Sequence, residues 1–260
     1  MMTACIVVTI RYNRPYMLEF QEHMNEEFES HEALVRELAD PHLRDQYARP
    51  YDGYKTGIVA RILGAILVGS GTLMYGKRPS YGKFKAIEVI ARIPYQSWEV
   101  AAYTMVSAFH GNEGIAIQLC KTSAFSRFAQ DNETMHVVVI SHLARKKKDH
   151  GFFRFTLIPL LFALVYFWVV YLLYMISRKT ALELNYLFES HAYAQYQEFL
   201  DENEEVLKQT PIQSDFLDFY GRNVKSEYEF LSSVRNDELI HRNRSIRELE
   251  ARPKPTTSEA

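Results

Sequence analysis

The sequence predicts an all-α protein, and three observations predict it. Apolar residues recur at helical spacing through long segments, no stretch of useful length alternates apolar and polar residues, and turn signals such as YGKRPSYGK and QTPIQSD separate the segments. No internal repeat of solenoid type interrupts this pattern. The 260 residues suffice to bury a core, and 47% apolar with 24% charged residues excludes wholesale disorder. A mean hydropathy of −0.22 excludes a polytopic membrane protein. Thirty Lys and Arg against 32 Asp and Glu leave a net charge of −2, which gives no electrostatic support for nucleic-acid binding.

The elements follow in chain order. In MMTACIVVTIRYNR the arginines come after the apolar stretch, the wrong order for a secretory signal, and acidic residues from Glu19 onward oppose a transit peptide. Residues 16–48 are charged and helical in pattern, closed off by Pro41, and read as a solvated or dimer-facing arm. Residues 54–74 are apolar but broken by Arg61 and glycines, which suits an interfacial helix better than a membrane-crossing one. Helices are expected over 83–110, with Pro94 able to kink it, over 114–146 and over 152–177. Two more run over 179–207 and 222–250, with the QTPIQSD loop between them. The tail ARPKPTTSEA reads as frayed. The expected organisation is a charged helical arm over 1–50, one helical domain over 51–250 and a flexible tail over 251–260. Cys5 and Cys120 are isolated, so they read as small buried apolar residues in a reducing compartment.

Two copies of Glu-x-x-His stand out, Glu133-Thr-Met-His136 and Glu238-Leu-Ile-His241. Positions three apart share a helix face, so a carboxylate and an imidazole can reach one metal ion together. With 23 Glu and 9 His in the chain, about 0.8 such pairs arise by chance, so each copy is weak alone. Both copies follow a polar residue, Asn132 and Asp237, and both lie in the middle of long helical patterns. Di-iron carboxylate bundles combine two such helices with one further Glu from each of two others. Glu88 in FKAIEVIARIP and Glu189 in LNYLFESHAY supply them, each among apolar neighbours where an unpaired carboxylate is costly to bury. The separations are 45 residues from Glu88 to Glu133, 53 from His136 to Glu189 and 49 from Glu189 to Glu238, each enough for helix, turn and helix. The expected metal ligands are therefore Glu88, Glu133, His136, Glu189, Glu238 and His241, holding two iron ions. The expected fold is a ferritin-like four-helix bundle with additional membrane-interfacial helices. Asn132 and Asp237 are expected to orient the histidines. His110 and His142 lack partners at ligand spacing and read as structural.

These stretches resemble the alternative oxidase family of membrane-bound di-iron quinol oxidases, and within it the plastid terminal oxidase branch. The resemblance rests on RPSYGKFKAIEVIARIPY, DNETMHVVVI, VYFWVVYLLYMIS, FESHAYAQYQEFL and VRNDELIHR, and covers roughly residues 75 to 250. It implies oxidation of two quinols, plastoquinol or ubiquinol, with reduction of oxygen to water and no proton pumping. It implies Tyr196 as the tyrosine needed for activity, and the spacing agrees, since Tyr196 follows Glu189 by two helical turns on one face. By position relative to the family motifs, Lys83, Ile87, Phe188, His191, Ala192 and Gln195 line the quinol pocket. A homodimer is expected from the resemblance as well. Lys83 stands near where mitochondrial relatives carry an arginine, and the first 50 residues align with none of the motifs. The rival readings are a related di-iron hydroxylase of quinone biosynthesis, a fatty-acyl desaturase, and a helical membrane-anchored scaffold.

The 23 residues from Phe155 to Ser177 carry no charge and are long enough to cross a bilayer. They lie between His136 and Glu189, so a single crossing would put the six ligands on opposite sides. The run is therefore expected to lie on one leaflet as an apolar face of the bundle, with residues 54–74 beside it. Arg145-Lys146-Lys147-Lys148 just before it suits anionic headgroups. The expected location is one leaflet of a bacterial inner, thylakoid-type or organelle membrane.

Overall fold

The computed structural model describes residues 28–250, and among them every long element is a helix. Expectations for Cys5, for the earlier part of the arm and for the tail lie outside the described residues. In chain order the helices are α1 (28–37), α2 (Pro41–Ala48), α3 (Ile58–Tyr75), α4 (Tyr81–Phe109), α5 (Glu113–Lys146), α6 (Ile158–Ile176), α7 (Arg178–Gln209), α8 (Asp215–Tyr220) and α9 (Glu227–Glu250). Helices start where a side chain can accept from their free N–H groups. Ser80 accepts from Lys83 to open α4, Asn112 from Ile115 to open α5, and Ser177 from Thr180 to open α7. A π-helical turn over Phe153–Leu157 precedes α6. Pro159 has no N–H to give the carbonyl of Phe155, which favours the wider turn there.

The bundle is built from α4 packed along α5 and α7 packed along α9. Helix α6 lies on α4 and α7, and α3 lies on α7. Along each of α4, α5 and α7 the residues pack into two apolar clusters. One gathers Phe84, Leu143, Leu200 and Leu231, and the other gathers Trp98, Phe125, Tyr174 and Leu182. Glu88, Glu133 and Glu189 fall between them along their own helices, so dry packing closes the site from both ends. Helix α6 buries a stripe of Pro159, Ala163, Tyr166, Val170 and Tyr174 at helical spacing and leaves Val165 and Trp168 exposed at 66% and 62%.

Four expectations need correction. The described part of the arm is solvated on one face only, because His31, Glu32, Val35 and Leu38 are buried, and Val35 and Leu38 pack against Leu239 and Ile240 of α9, while residues such as Glu29, Arg36, Glu37 and Asp45 stay exposed. Pro41 does not close a helix but begins α2, where its missing N–H costs nothing at the first turn and Asp40 caps the next donors. The loop before the last helix contains α8, and that helix begins at Glu227 instead of 222. Gly221 ends α8 at φ +91°, a left-handed turn that a glycine takes without strain. Cys120 is exposed and not a core residue.

Candidate metal centre

All six residues expected to bind metal are fully buried and come from the four bundle helices. Donor atoms of Glu88, Glu133, His136 and Glu238 lie within 4.8 Å of one another, and so do those of Glu133, Glu189, Glu238 and His241. The two groups share Glu133 and Glu238. Two adjacent four-donor sets with two common carboxylates have the form of a binuclear centre bridged by glutamates. His136 Nδ1 is 3.4 Å from Glu88 Oε2, 3.3 Å from Glu133 Oε2 and 3.5 Å from Glu238 Oε1. His241 Nδ1 is 2.8 Å from Glu133 Oε1.

The residues fit a pair of cations for two reasons. Among the described residues, both oxygens of Glu133 and of Glu238, one oxygen each of Glu88 and Glu189, His136 Nδ1 and both nitrogens of His241 have no partner in good hydrogen-bond geometry, even though His241 Nδ1 and Glu133 Oε1 lie close. Buried polar atoms in folded proteins are almost always paired, so this concentration of orphans is what a set of candidate metal ligands would leave. Four carboxylates in one dry space also repel each other. Burial pushes Glu88 up to about 7, and burial with the charges of Glu133, Glu189 and Glu88 pushes Glu238 well above the carboxylate range. Cations would remove both costs. Mixed carboxylate and imidazole donors suit iron.

Two buried phenols brace the cluster in a mirrored way. Tyr196 of α7 donates to Glu88 Oε1 of α4, and Tyr95 of α4 donates to Glu189 Oε1 of α7 at 2.8 Å. Burial, then the facing Glu88, pushes the Tyr196 phenol well above its ordinary value, so it keeps its proton. Tyr196 stacks on Phe84 with ring centroids 4.1 Å apart. Asn185 donates to both Tyr95 Oη and Glu189 Oε1. Sequence reading missed Tyr95, although it follows Glu88 by the same seven residues that separate Tyr196 from Glu189.

Asp237 behaves as expected and Asn132 does not. Asp237 Oδ2 accepts from His136 Nε2 at 2.8 Å, on the other Glu-x-x-His helix. Asn132 Nδ2 donates to Tyr220 Oη at 3.0 Å and is bonded to no histidine. The reason is tertiary, because α8 packs on α5 and brings Tyr220 to Asn132.

Five of the six residues expected to contact quinol line one apolar cavity between α3, α4, α6 and α7: Lys83, Ile87, Phe188, His191 and Ala192. Gln195 stands behind it and accepts from Lys83 Nζ at 2.5 Å, while Lys83 also donates to Lys77 O at 2.8 Å. Ile87 and Phe188 each immediately precede a glutamate of the cluster, so α4 and α7 contribute residues to both the cavity and the candidate metal centre. Burial, and next the Lys83 charge, lowers His191, which keeps its imidazole neutral. His110 is exposed and bonds Ser107 O.

A family model for alternative oxidase matches residues 58–248. No curated protein and no solved structure gives a significant match to the chain.

Proposed function

The chain belongs to the alternative oxidase family of di-iron quinol oxidases, and from that premise we propose that it oxidises two quinols for each oxygen molecule reduced to water, without pumping protons. The observation that carries this is the convergence, from four helices, of six buried Glu and His side chains whose donor atoms lack hydrogen-bond partners. In this reading Glu88, Glu133, His136, Glu189, Glu238 and His241 hold two iron ions. Two iron ions held there would supply the electron-transfer chemistry between quinol and oxygen. Two quinols release four electrons and four protons, the number that oxygen needs to become two waters.

The chain's own groups bind, orient and exclude water. Quinol enters the apolar cavity, where Lys83 Nζ, held from behind by Gln195 Oε1, offers a donor to a ring hydroxyl oxygen. Ile87, Phe188 and Ala192 sandwich the ring, and neutral His191 takes a hydroxyl proton on its free ring nitrogen. Tyr196, which holds its proton at Oη against Glu88, is the catalytic tyrosine. The plastoquinol branch is the reading favoured by FESHAY, with ubiquinol as the alternative.

The family is membrane-associated, and α3 and the Phe153–Ile176 segment are each long and apolar enough to cross a bilayer. We place both in the plane of one leaflet instead. Helix α6 lies alongside α4, so a crossing would carry the charged flanks of the bundle into hydrocarbon. Both of these helices line the quinol cavity, which would put it within reach of a lipid-dissolved substrate. Arg145, Lys146 and Lys148 are exposed for headgroups, whereas Lys147 turns to Glu227 at 3.1 Å. A homodimer belongs to the same reading.

The test is iron content together with oxygen uptake in vesicles supplied with ubiquinol or plastoquinol. We expect about two irons per chain and quinol-dependent uptake, both lost in Glu133→Ala. A hydroxylated quinone precursor as product would favour the biosynthetic hydroxylase, and an iron-free wild type would leave only a scaffold.

A further inference from the structure

We propose that His31 and Glu32 of α1, which precede the family-matched segment, are positioning residues of the metal site: with Arg222 they fix the carboxylate that orients His136. The inference rests on the di-iron reading above.

The geometry runs outward from the cluster in one unbroken chain. His136 can present Nδ1 to metal only if Nε2 carries the proton and is held. Asp237 Oδ2 accepts that proton's bond at 2.8 Å. The same carboxylate is gripped from behind, by His31 Nε2 donating to Oδ1 at 2.8 Å and by the Arg222 guanidinium donating to both oxygens. Arg222 is held in turn by Glu32, with Nη2 to Oε1 at 2.5 Å and Nε to Oε2 at 3.2 Å. Every member of this chain is buried.

Charge explains why Glu32 is needed. Arg222 sits between two carboxylates, and a buried guanidinium deprived of one of them is free to swing toward the other or toward water. Asp237 would follow it and release His136. His31 acts differently, because it adds a directional donor that stops the Asp237 carboxylate from rotating about its own axis. Its ring is wedged against Phe128 at 4.9 Å and lies 6.1 Å from the His241 ring, so it reaches the flank of the site itself. The support is one-sided. The equivalent position on the other helix, Asn132, bonds Tyr220, and among the described residues none anchors His241 as Asp237 anchors His136.

Helix α1 also docks by ordinary packing, through Val35 and Leu38 and through Asn236 Nδ2 donating to Val35 O at 2.9 Å. A purely structural role for α1 would therefore reside in Val35 and Leu38, and a positioning role in His31 and Glu32.

The experiment loads the full chain with ferrous iron, then follows its loss to excess chelator. Absorption of the cobalt(II)-substituted protein gives a second readout of His136 ligation. Wild type should bind about two metals, and His31→Leu and Glu32→Ala should lose iron about 10- to 100-fold faster with an altered cobalt spectrum. His31→Gln, which keeps a donor toward Asp237, should restore both. Val35→Ala should lower the unfolding temperature but leave iron loss and spectrum unchanged. Wild-type release and spectra in both His31→Leu and Glu32→Ala would overturn the inference alone, as would a Val35→Ala variant that behaves like them. A wild type that takes up no iron would overturn the di-iron reading and this inference together.

Discussion

At the scale of single residues, the centre is organised by reciprocal pairs. Glu88 and Tyr95 lie seven apart on α4, Glu189 and Tyr196 seven apart on α7, and each tyrosine braces the glutamate of the other helix. Removing the Tyr95 hydroxyl leaves Glu189 with Asn185 alone. Tyr95→Phe is therefore expected to bind iron about 10-fold more weakly in a metal titration, with helicity unchanged. Unaltered affinity would show that Asn185 suffices. The raised carboxyls make a second prediction. Below its raised value Glu88 holds a proton, as does Glu238, and metal must displace both. Iron uptake at pH 7 should release protons into a weakly buffered solution, and apparent affinity should rise from pH 6 to pH 8. An affinity flat across that interval would contradict the protonated carboxyls.

At the scale of elements, sequence pattern located the helices well and their partners poorly. The uncharged run became α6 with its π-helical entry, and the apolar 54–74 stretch became α3, close to the expected bounds. The end of the YGKRPSYGK turn shows what pattern omits. Gly82 lies inside α4, and a Cβ there would meet Asp149 Oδ1 at 2.8 Å, the Asp149 carbonyl at 2.9 Å and Phe155 at 3.0 Å. Its N–H also donates to Asp149 Oδ2 at 2.7 Å. The glycine allows the approach of the 149–155 segment to α4 more than it makes a turn. Gly82→Ala should cost about 1–3 kcal/mol in chemical unfolding, because a backbone oxygen cannot move aside as a flexible side chain can. A neutral substitution would mean that the 149–155 segment shifts freely.

At the scale of the whole molecule, the question is where the membrane lies. If α6 rests in one leaflet, both of its ends face the same compartment. Single cysteines at Gly151 and Lys179, in a chain lacking Cys5 and Cys120, should then react from the same side of sealed vesicles. Labelling from opposite sides would make α6 a true crossing and separate the residues of α4 and α5 from those of α7 and α9. The helical class, the order of the bundle helices and all six candidate ligands were legible in the sequence, because helix periodicity and Glu-x-x-His spacing are local properties. Convergence was not local. Only the tertiary structure decided that Glu133 and Glu238 belong to both donor groups, that Tyr95 mirrors Tyr196, and that Asn132 turns to Tyr220. It also decided that a charged arm, which by composition belongs in water, packs His31 and Glu32 beside Asp237 and Arg222. The physical reason is that charge in a sequence predicts solvent exposure only until a complementary charge, about 200 residues away in this chain, is folded against it.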